Sequence, residues 1–414
     1  MQLDAVYHGQ VFTPEPVVRF MIGLMKDGAQ GAVLEPSCGD GAFYHALKSA
    51  FPARALTAVE LDPNVCPPGA VQADFFRWKP GKAFRGFDTI IGNPPYVRYQ
   101  DILPGTRAAL SADCLDGRSN LYLHFIERCV KLLAPGGELI FITPRDFIKL
   151  TSAARLNAWM FEQGSFTHVV ELGDRPVFKG ATPNCMIWRF EKGRTDRSVQ
   201  FAALDGRARI TDLDALDWVR RQSLISQGHL SFETASDPDQ AGLRLGDVAR
   251  IRVGAISGDD PLFGALPGNR DFVCSRTRTS GALRPMFWSE DAPAPPEILL
   301  PYKARLITRG VRRFTEENWW KWGRKHFMSD APRIYVNAKT RQRRPFFVHD
   351  CKDYDGSILA IFPHRADLGS DELAAWCEAL NEVDWAAQGF VCDGRFLFSQ
   401  RSLLSARLPH PFFD

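Results

Sequence analysis

The chain has 414 residues, 45% of them hydrophobic, enough for two or three domains with full cores and typical of a soluble globular protein. Its net charge of +3 is too small to demand a polyanionic partner, and nine cysteines without a CxxC pair argue against a disulfide framework or a zinc site. With no run of 18 apolar residues and no signal-peptide pattern, a cytoplasmic location away from any membrane is expected, with thiols reduced and mostly buried.

In chain order, Gly9-Gln10-Val11-Phe12-Thr13-Pro14 reads as a loop leading into a helix that reaches Met25. Thr13 suits an N-cap, Pro14 the first helical position, and Val17, Val18, Met21 and Leu24 form an apolar stripe. Ala32–Glu35 reads as a strand, Pro36-Ser37-Cys38-Gly39-Asp40-Gly41 as a tight glycine turn, and Ala42–Ser49 as a helix. That order belongs to the nucleotide sites of doubly wound folds, where glycines admit a ligand to the backbone and the helix end offers free N–H groups. Glu35 would repel a phosphate there and suits a ligand bearing an ammonium group. A second strand, Leu56–Val59, ends in Glu60, placed to accept both hydroxyls of a ribose. Val71–Phe76 then brings Asp74, Phe75 and Phe76, a carboxylate and two rings suited to an adenine. Each acid alone fits a solvated strand end as well; three at successive strand ends point to a ligand.

Thr89, Ile90 and Ile91 form a short buried strand, which Gly92 closes. Pro94 and Pro95 cannot continue a central strand, so Asn93-Pro94-Pro95-Tyr96 becomes a stiff loop at the strand's carboxyl end. Taken alone, that loop is also a plain proline turn. Its chemistry suits a nucleobase amino group, a poor nucleophile whose lone pair is delocalised. The Asn93 side-chain oxygen and a backbone carbonyl placed on its two hydrogens would localise that lone pair, while Tyr96 stacks on the base.

A polar loop at about 100–118 precedes a helix capped by Ser119 and ending near Leu133. Strands follow at Glu138–Thr143, Phe166–Leu172 and Cys185–Phe190, with a helix over Thr151–Gln163 and a loop at Pro176–Gly180. An edge hairpin and a helix near Leu213–Gln222 lead to a domain boundary at 238. Beyond it, residues 301–350 hold 13 Lys/Arg against 4 Asp/Glu, interleaved with Trp319, Trp320, Trp322 and Tyr335. Basic residues among aromatics fit phosphate contacts and base-edge readout; a solvated basic face over core tryptophans is the plainer alternative.

FTPEPVVRFM, LEPSCGDGAF, AVELDP, ADFF and IIGNPPY, in this order and spacing, resemble the class I methyltransferases. More narrowly, they resemble the TaqI-type, or gamma-class, adenine-N6 DNA methyltransferases of bacterial restriction–modification systems. The resemblance is specific over residues 7–190 and looser beyond. It implies an α/β fold, a doubly wound and mostly parallel seven-stranded sheet over residues 1–238, and a mixed α+β target-recognition domain over 239–414. S-adenosylmethionine is the implied cofactor. Thr13, Glu35, Pro36, Ser37 and Cys38 would surround its methionine part, Glu60 its ribose, and Asp74 with Phe75 its adenine, while Pro95 would line the cleft. Asn93 and the Pro94 carbonyl would hold the target N6, with Tyr96 and Phe178 stacking on opposite faces of the flipped base. Asp40 stands where the family varies and receives no role. The implied partner is double-stranded DNA, bound by a monomer; a cognate endonuclease would act separately, since no PD…(D/E)xK segment has room for a nuclease domain. Related Asn-Pro-Pro-Tyr motifs occur in enzymes that methylate RNA or a protein glutamine, and an inactive DNA-binding module is a further alternative. The large basic carboxyl-terminal segment favours DNA, and Asn rather than Ser at the motif's first position favours adenine.

Overall fold

The computed structural model describes residues 12–26, 31–81, 84–111, 113–115, 119–173, 177–178, 184–204, 209–226, 228–233, 243–365, 367–386, 388, 390–392 and 395–408. The chain divides into two compact units, Met1–Ser236 and Asp237–Asp414. The expected boundary at 238 falls outside the described residues.

The first unit is built on a sheet of ten strands among the described residues. In chain order its elements are α1 (Glu15–Gly23), β1 (Val33–Glu35), α2 (Ala42–Ala50), β2 (Leu56–Glu60), β3 (Val71–Gln72), β4 (Phe87–Gly92), α3 (Leu121–Leu132) and β5 (Leu133–Pro144). There follow α4 (Ala154–Gln163), β6 (Gly164–Glu171), β7 (Cys185–Lys192), β8 (Ser198–Ala203), β9 (Val219–Ser226) and β10 (His229–Glu233). Across the sheet the order is β10-β9-β8-β6-β7-β5-β4-β1-β2-β3. The run β3-β2-β1-β4-β5 is parallel throughout, and β7 lies antiparallel between β5 and β6. Those seven strands have the order of the doubly wound, mostly parallel sheet that the resemblance implies; β8, β9 and β10 extend it on one side.

Strand alternation divides the core in two. Leu34, Ile90, Leu139 and Phe141 face a layer built from α3 and α4. Their neighbours Val33, Ile91, Ile140 and Ile142 face α1 and α2. Each fully buried aliphatic side chain contributes about 1.5–3 kcal/mol, so a one-residue slip of β4 would exchange both faces at once. Register is held further by the buried Glu138 carboxylate. It accepts from Arg189 Nε at 2.6 Å, Thr89 Oγ1 at 3.0 Å and the Lys26 amide at 3.0 Å, tying β4, β5 and β7 to the end of α1.

Three expectations change. The helix over Leu213–Gln222 is confined to the turn Ile210–Ala215, because Val219–Ser226 pairs with β8 and β10 and satisfies its backbone there. Helix α3 is preceded by Asn120 rather than capped by Ser119, and no side chain caps it. The polar loop contains two helical turns, Tyr99–Asp101 and Pro104–Arg107.

The second unit is mixed α+β. A four-stranded sheet runs in the order Ala249–Val253, Ile358–Pro363, Ile334–Asn337, Phe346–Phe347, with helices such as Ser370–Glu382 around it. Trp319, Trp320, Trp322 and Tyr335 are all buried. Two of the interleaved cations are structural as well. Arg309 donates to the Leu306, Ser257, Trp319 and Lys321 carbonyls, and Arg333 to those of Ala331, Lys352 and Ser329. Arg313, Lys325, Lys339 and Arg343 remain exposed.

Candidate functional site

The parallel strands β1, β2, β3 and β4 end on one edge of the sheet, and β1 lies between β2 and β4, where the winding reverses. Crevices at such points are where ligands bind in open α/β sheets. A cleft of about 870 Å³, open mouth included, lies there. Pro36 and Ser37 line it from the loop after β1, Glu60 from β2, and Asp74 with Phe75 from beyond β3. Asn93, Pro94, Pro95 and Tyr96 line it from the loop after β4.

The glycine turn works as its composition suggests. Gly39 and Gly41 have φ of 54° and 86°, in the left-handed region that a side chain disfavours. Gly39 lines the cleft, and its amide donates to Glu60 Oε2 at 2.7 Å. The Asp62 amide donates to Glu60 Oε1 at 2.9 Å, so both carboxylate oxygens are aimed by backbone and keep lone pairs for a ligand. Asp74 is held in the same manner, by the Phe76 amide at 2.9 Å and the Thr106 hydroxyl at 2.7 Å. Phe75 is buried, stacked on Phe125 with ring centroids 5.1 Å apart.

Thr13 does not cap α1: Pro14 occupies the N-cap position and no side chain bonds there. Its hydroxyl instead accepts from Asn93 Nδ2 at 3.2 Å, which orients the amide with Oδ1 as its acceptor. Ser37 Oγ donates to the Asn93 carbonyl at 3.3 Å, joining the loops after β1 and β4. The Tyr96 hydroxyl donates to the Ile142 carbonyl at 3.1 Å, and its burial pushes its pKa well above the ordinary tyrosine range.

Glu35 and Cys38 are buried beside the cleft rather than lining it. Burial first, then the charges of Glu60 and Asp40, hold the Glu35 carboxyl well above the usual carboxylate range. Its Oε2 has no partner among the described residues. Burial, Glu35 and Glu60 likewise push the Cys38 thiol up. Phe178 is buried and meets Tyr96 edge to face, centroids 6.1 Å apart at 64°. In this arrangement the two rings do not form a parallel clamp.

Other lining residues escaped the sequence reading. Thr106 and Leu103 come from the loop read only as polar, and Leu121 and Phe125 from helix α3, where they read as core stripe. Phe12 also lines the cleft, and its place directly before Thr13 was an available signal.

Residues 67–178, which include Asp74 and the Asn-Pro-Pro-Tyr loop, match the model of the Eco57I restriction-modification methylase family. This segment, residues 67–178, is thus similar to restriction-modification methylases. The methylase relationship extends beyond it. The chain is 34% identical over 265 residues to the Type II methyltransferase M.TthHB8I of Thermus thermophilus, covering 60% of this chain and 59% of that one. It is 30% identical over 289 residues to the Type II methyltransferase M.HindII of Haemophilus influenzae, covering 62% and 55%. The chain thus spans less than two thirds of the length of these curated relatives. Among solved structures, the Type IIL restriction-modification enzyme MmeI, determined in complex with DNA, superposes with a TM-score of 0.62. That match covers 94% of this chain and 64% of MmeI at 12% identity, a likeness of fold. No helix among the described residues is long and apolar enough to cross a membrane.

Proposed function

We propose that this chain is a site-specific DNA methyltransferase that uses S-adenosylmethionine to methylate N6 of an adenine drawn out of the double helix. One observation carries the reading: the Asn93–Tyr96 loop and the acids Glu60 and Asp74 share a single cleft at the winding reversal of the sheet. The methylase family of residues 67–178 supports the same chemistry.

The residues fit that cofactor. A buried Glu35 with an unmatched oxygen, beside Glu60 and Asp40, calls for a cation, and S-adenosylmethionine carries an ammonium and a sulfonium. When bound, it supplies a methyl group activated by its positive sulfur. Glu35, Pro36, Ser37 and Cys38 would enclose its methionine end, Glu60 would accept its ribose hydroxyls, and Asp74 with Phe75 would hold its adenine. Pro95 forms part of the wall.

For the target base, Asn93 Oδ1 and the Pro94 carbonyl accept the two N6 hydrogens and localise the nitrogen lone pair. Thr13 keeps the Asn93 amide turned the right way. Tyr96 offers its ring to the extruded base. Extrusion costs a few kcal/mol, and stacking returns about 1–3 kcal/mol per ring. For Phe178 to take the second face it must leave its edge contact with Tyr96. The second unit, residues 239–414 in this reading, recognises the duplex, and exposed cations such as Arg313, Lys339 and Arg343 suit its phosphates.

The test offers the purified chain radiolabelled S-adenosylmethionine with unmethylated genomic DNA, total RNA or release-factor protein. Label should enter DNA and, after digestion to nucleosides, elute as N6-methyldeoxyadenosine. Label on cytosine N4, in RNA or in protein would replace this reading, and no label anywhere would leave an inactive DNA-binding module.

A further inference from the structure

In the second unit, Phe327 and Met328 stand 36% and 54% exposed, an apolar pair on an otherwise charged stretch. They follow Arg324 and Lys325, both exposed. Phe327 rests edge-on against Phe362, centroids 5.4 Å apart. From the neighbouring strand Ala249–Val253, Arg250 and Arg252 place their guanidinium carbons 5.9 and 5.4 Å from the Phe327 ring centroid. That strand is the edge of its sheet among the described residues, and Arg250 pairs in register with Phe362. No carboxylate forms an ion pair with Arg250 or Arg252 among the described residues, and the nearby Asp330 is engaged by Lys352.

The result is two apolar side chains backed by a buried ring, with two arginines, Arg250 and Arg252, beside Phe327. An exposed apolar tip within a positive surface matches one kind of occupant: a polyanion with flat apolar faces between its charges. The geometry points to Phe327 and Met328 as a wedge against a base step of duplex DNA, with Arg250 and Arg252 on the flanking phosphates. This rests on the reading of the chain as a DNA methyltransferase and says where its second unit grips the duplex. Partial unstacking at that step bends the duplex and brings more of it against the protein. The buried Arg309 and Arg333 take no part, since backbone carbonyls occupy their guanidinium groups.

The test uses the full chain and a 40-base-pair duplex carrying the position that the wild-type protein methylates, with a fluorophore pair at its ends. Affinity is read by anisotropy between about 50 and 200 mM KCl, and bending by energy transfer. Replacing Arg250 and Arg252 by Ala should lower the slope of log K against log salt by about 1.8. Phe327→Ala with Met328→Ala should keep the slope, weaken binding about tenfold and straighten the duplex. Met328→Ala alone, which leaves the Phe327–Phe362 contact intact, should do the same in part. Wild-type slope, affinity and bend in all three variants would overturn the wedge while leaving the methyltransferase reading in place. A wild-type protein that methylates no DNA would remove both. Loss of binding to an acidic protein, with DNA binding unchanged, would assign the face to a protein partner instead.

Discussion

The Asn93 side-chain amide donates to the Thr13 hydroxyl at 3.2 Å, joining two residues that lie 80 positions apart in the chain. The bond decides which end of the amide is the acceptor. A methyl in place of the hydroxyl leaves Asn93 free to turn its nitrogen towards the substrate, where a donor is useless. Thr13→Val should therefore lower kcat about tenfold, matching a hydrogen bond of roughly 1–1.5 kcal/mol. Thr13→Ser should restore the rate. Steady-state kinetics on both variants decide the point, and a wild-type kcat in Thr13→Val would remove the orienting role.

Asp74 depends on a residue from a different part of the chain. Its Oδ2 accepts from the Thr106 hydroxyl at 2.7 Å, and both side chains line the cleft. A hydrogen bond to a charged group contributes about 1.5–3 kcal/mol. Thr106→Val should thus weaken S-adenosylmethionine binding by about one to two orders of magnitude, and Thr106→Ser should bind as wild type does. Calorimetric titration distinguishes these outcomes; equal affinity in all three proteins would show that Asp74 holds its place unaided.

Glu35 links stability to pH. Burial, followed by the charges of Glu60 and Asp40, raises its folded pKa well above the unfolded value of about 4.3. A raised folded pKa means that its contribution is complete below about 4.3 and is lost as pH rises through the folded value. Glu35→Gln escapes that loss, so its melting temperature relative to wild type should climb as pH rises above about 4.3. The same variant should bind S-adenosylmethionine more weakly. Melting temperatures that track wild type at every pH would mean that Glu35 ionises as readily as an exposed carboxylate.

The parallel half of the sheet was legible because its strands are short β-branched runs ended by acids, glycines or prolines, as Thr89-Ile90-Ile91-Gly92 shows. Nine of the singled-out residues line one cleft because strand ends on the same edge converge whatever the intervening lengths. What failed depended on packing. Val219–Ser226 has no strong period, and pairing with strands on both sides decided its conformation. Thr106 and Phe125 reach the Asp74 end of the cleft from a turn and a helix whose local pattern says nothing of Asp74. Arg309 and Arg333 looked like nucleic-acid contacts, but each satisfies backbone carbonyls in the interior. Composition counts charges; it does not say which way they point.

The central claim is that Asn93 acts on a base amino group already out of the helix. Its most direct test is the single-turnover methylation rate of Asn93→Ala on the target duplex, read beside the fluorescence of 2-aminopurine at the target position. The alanine variant should flip the base with wild-type fluorescence and methylate at least about 10²-fold more slowly, the scale of one lost preorganised polar contact in a transition state. A wild-type rate in Asn93→Ala would contradict the account.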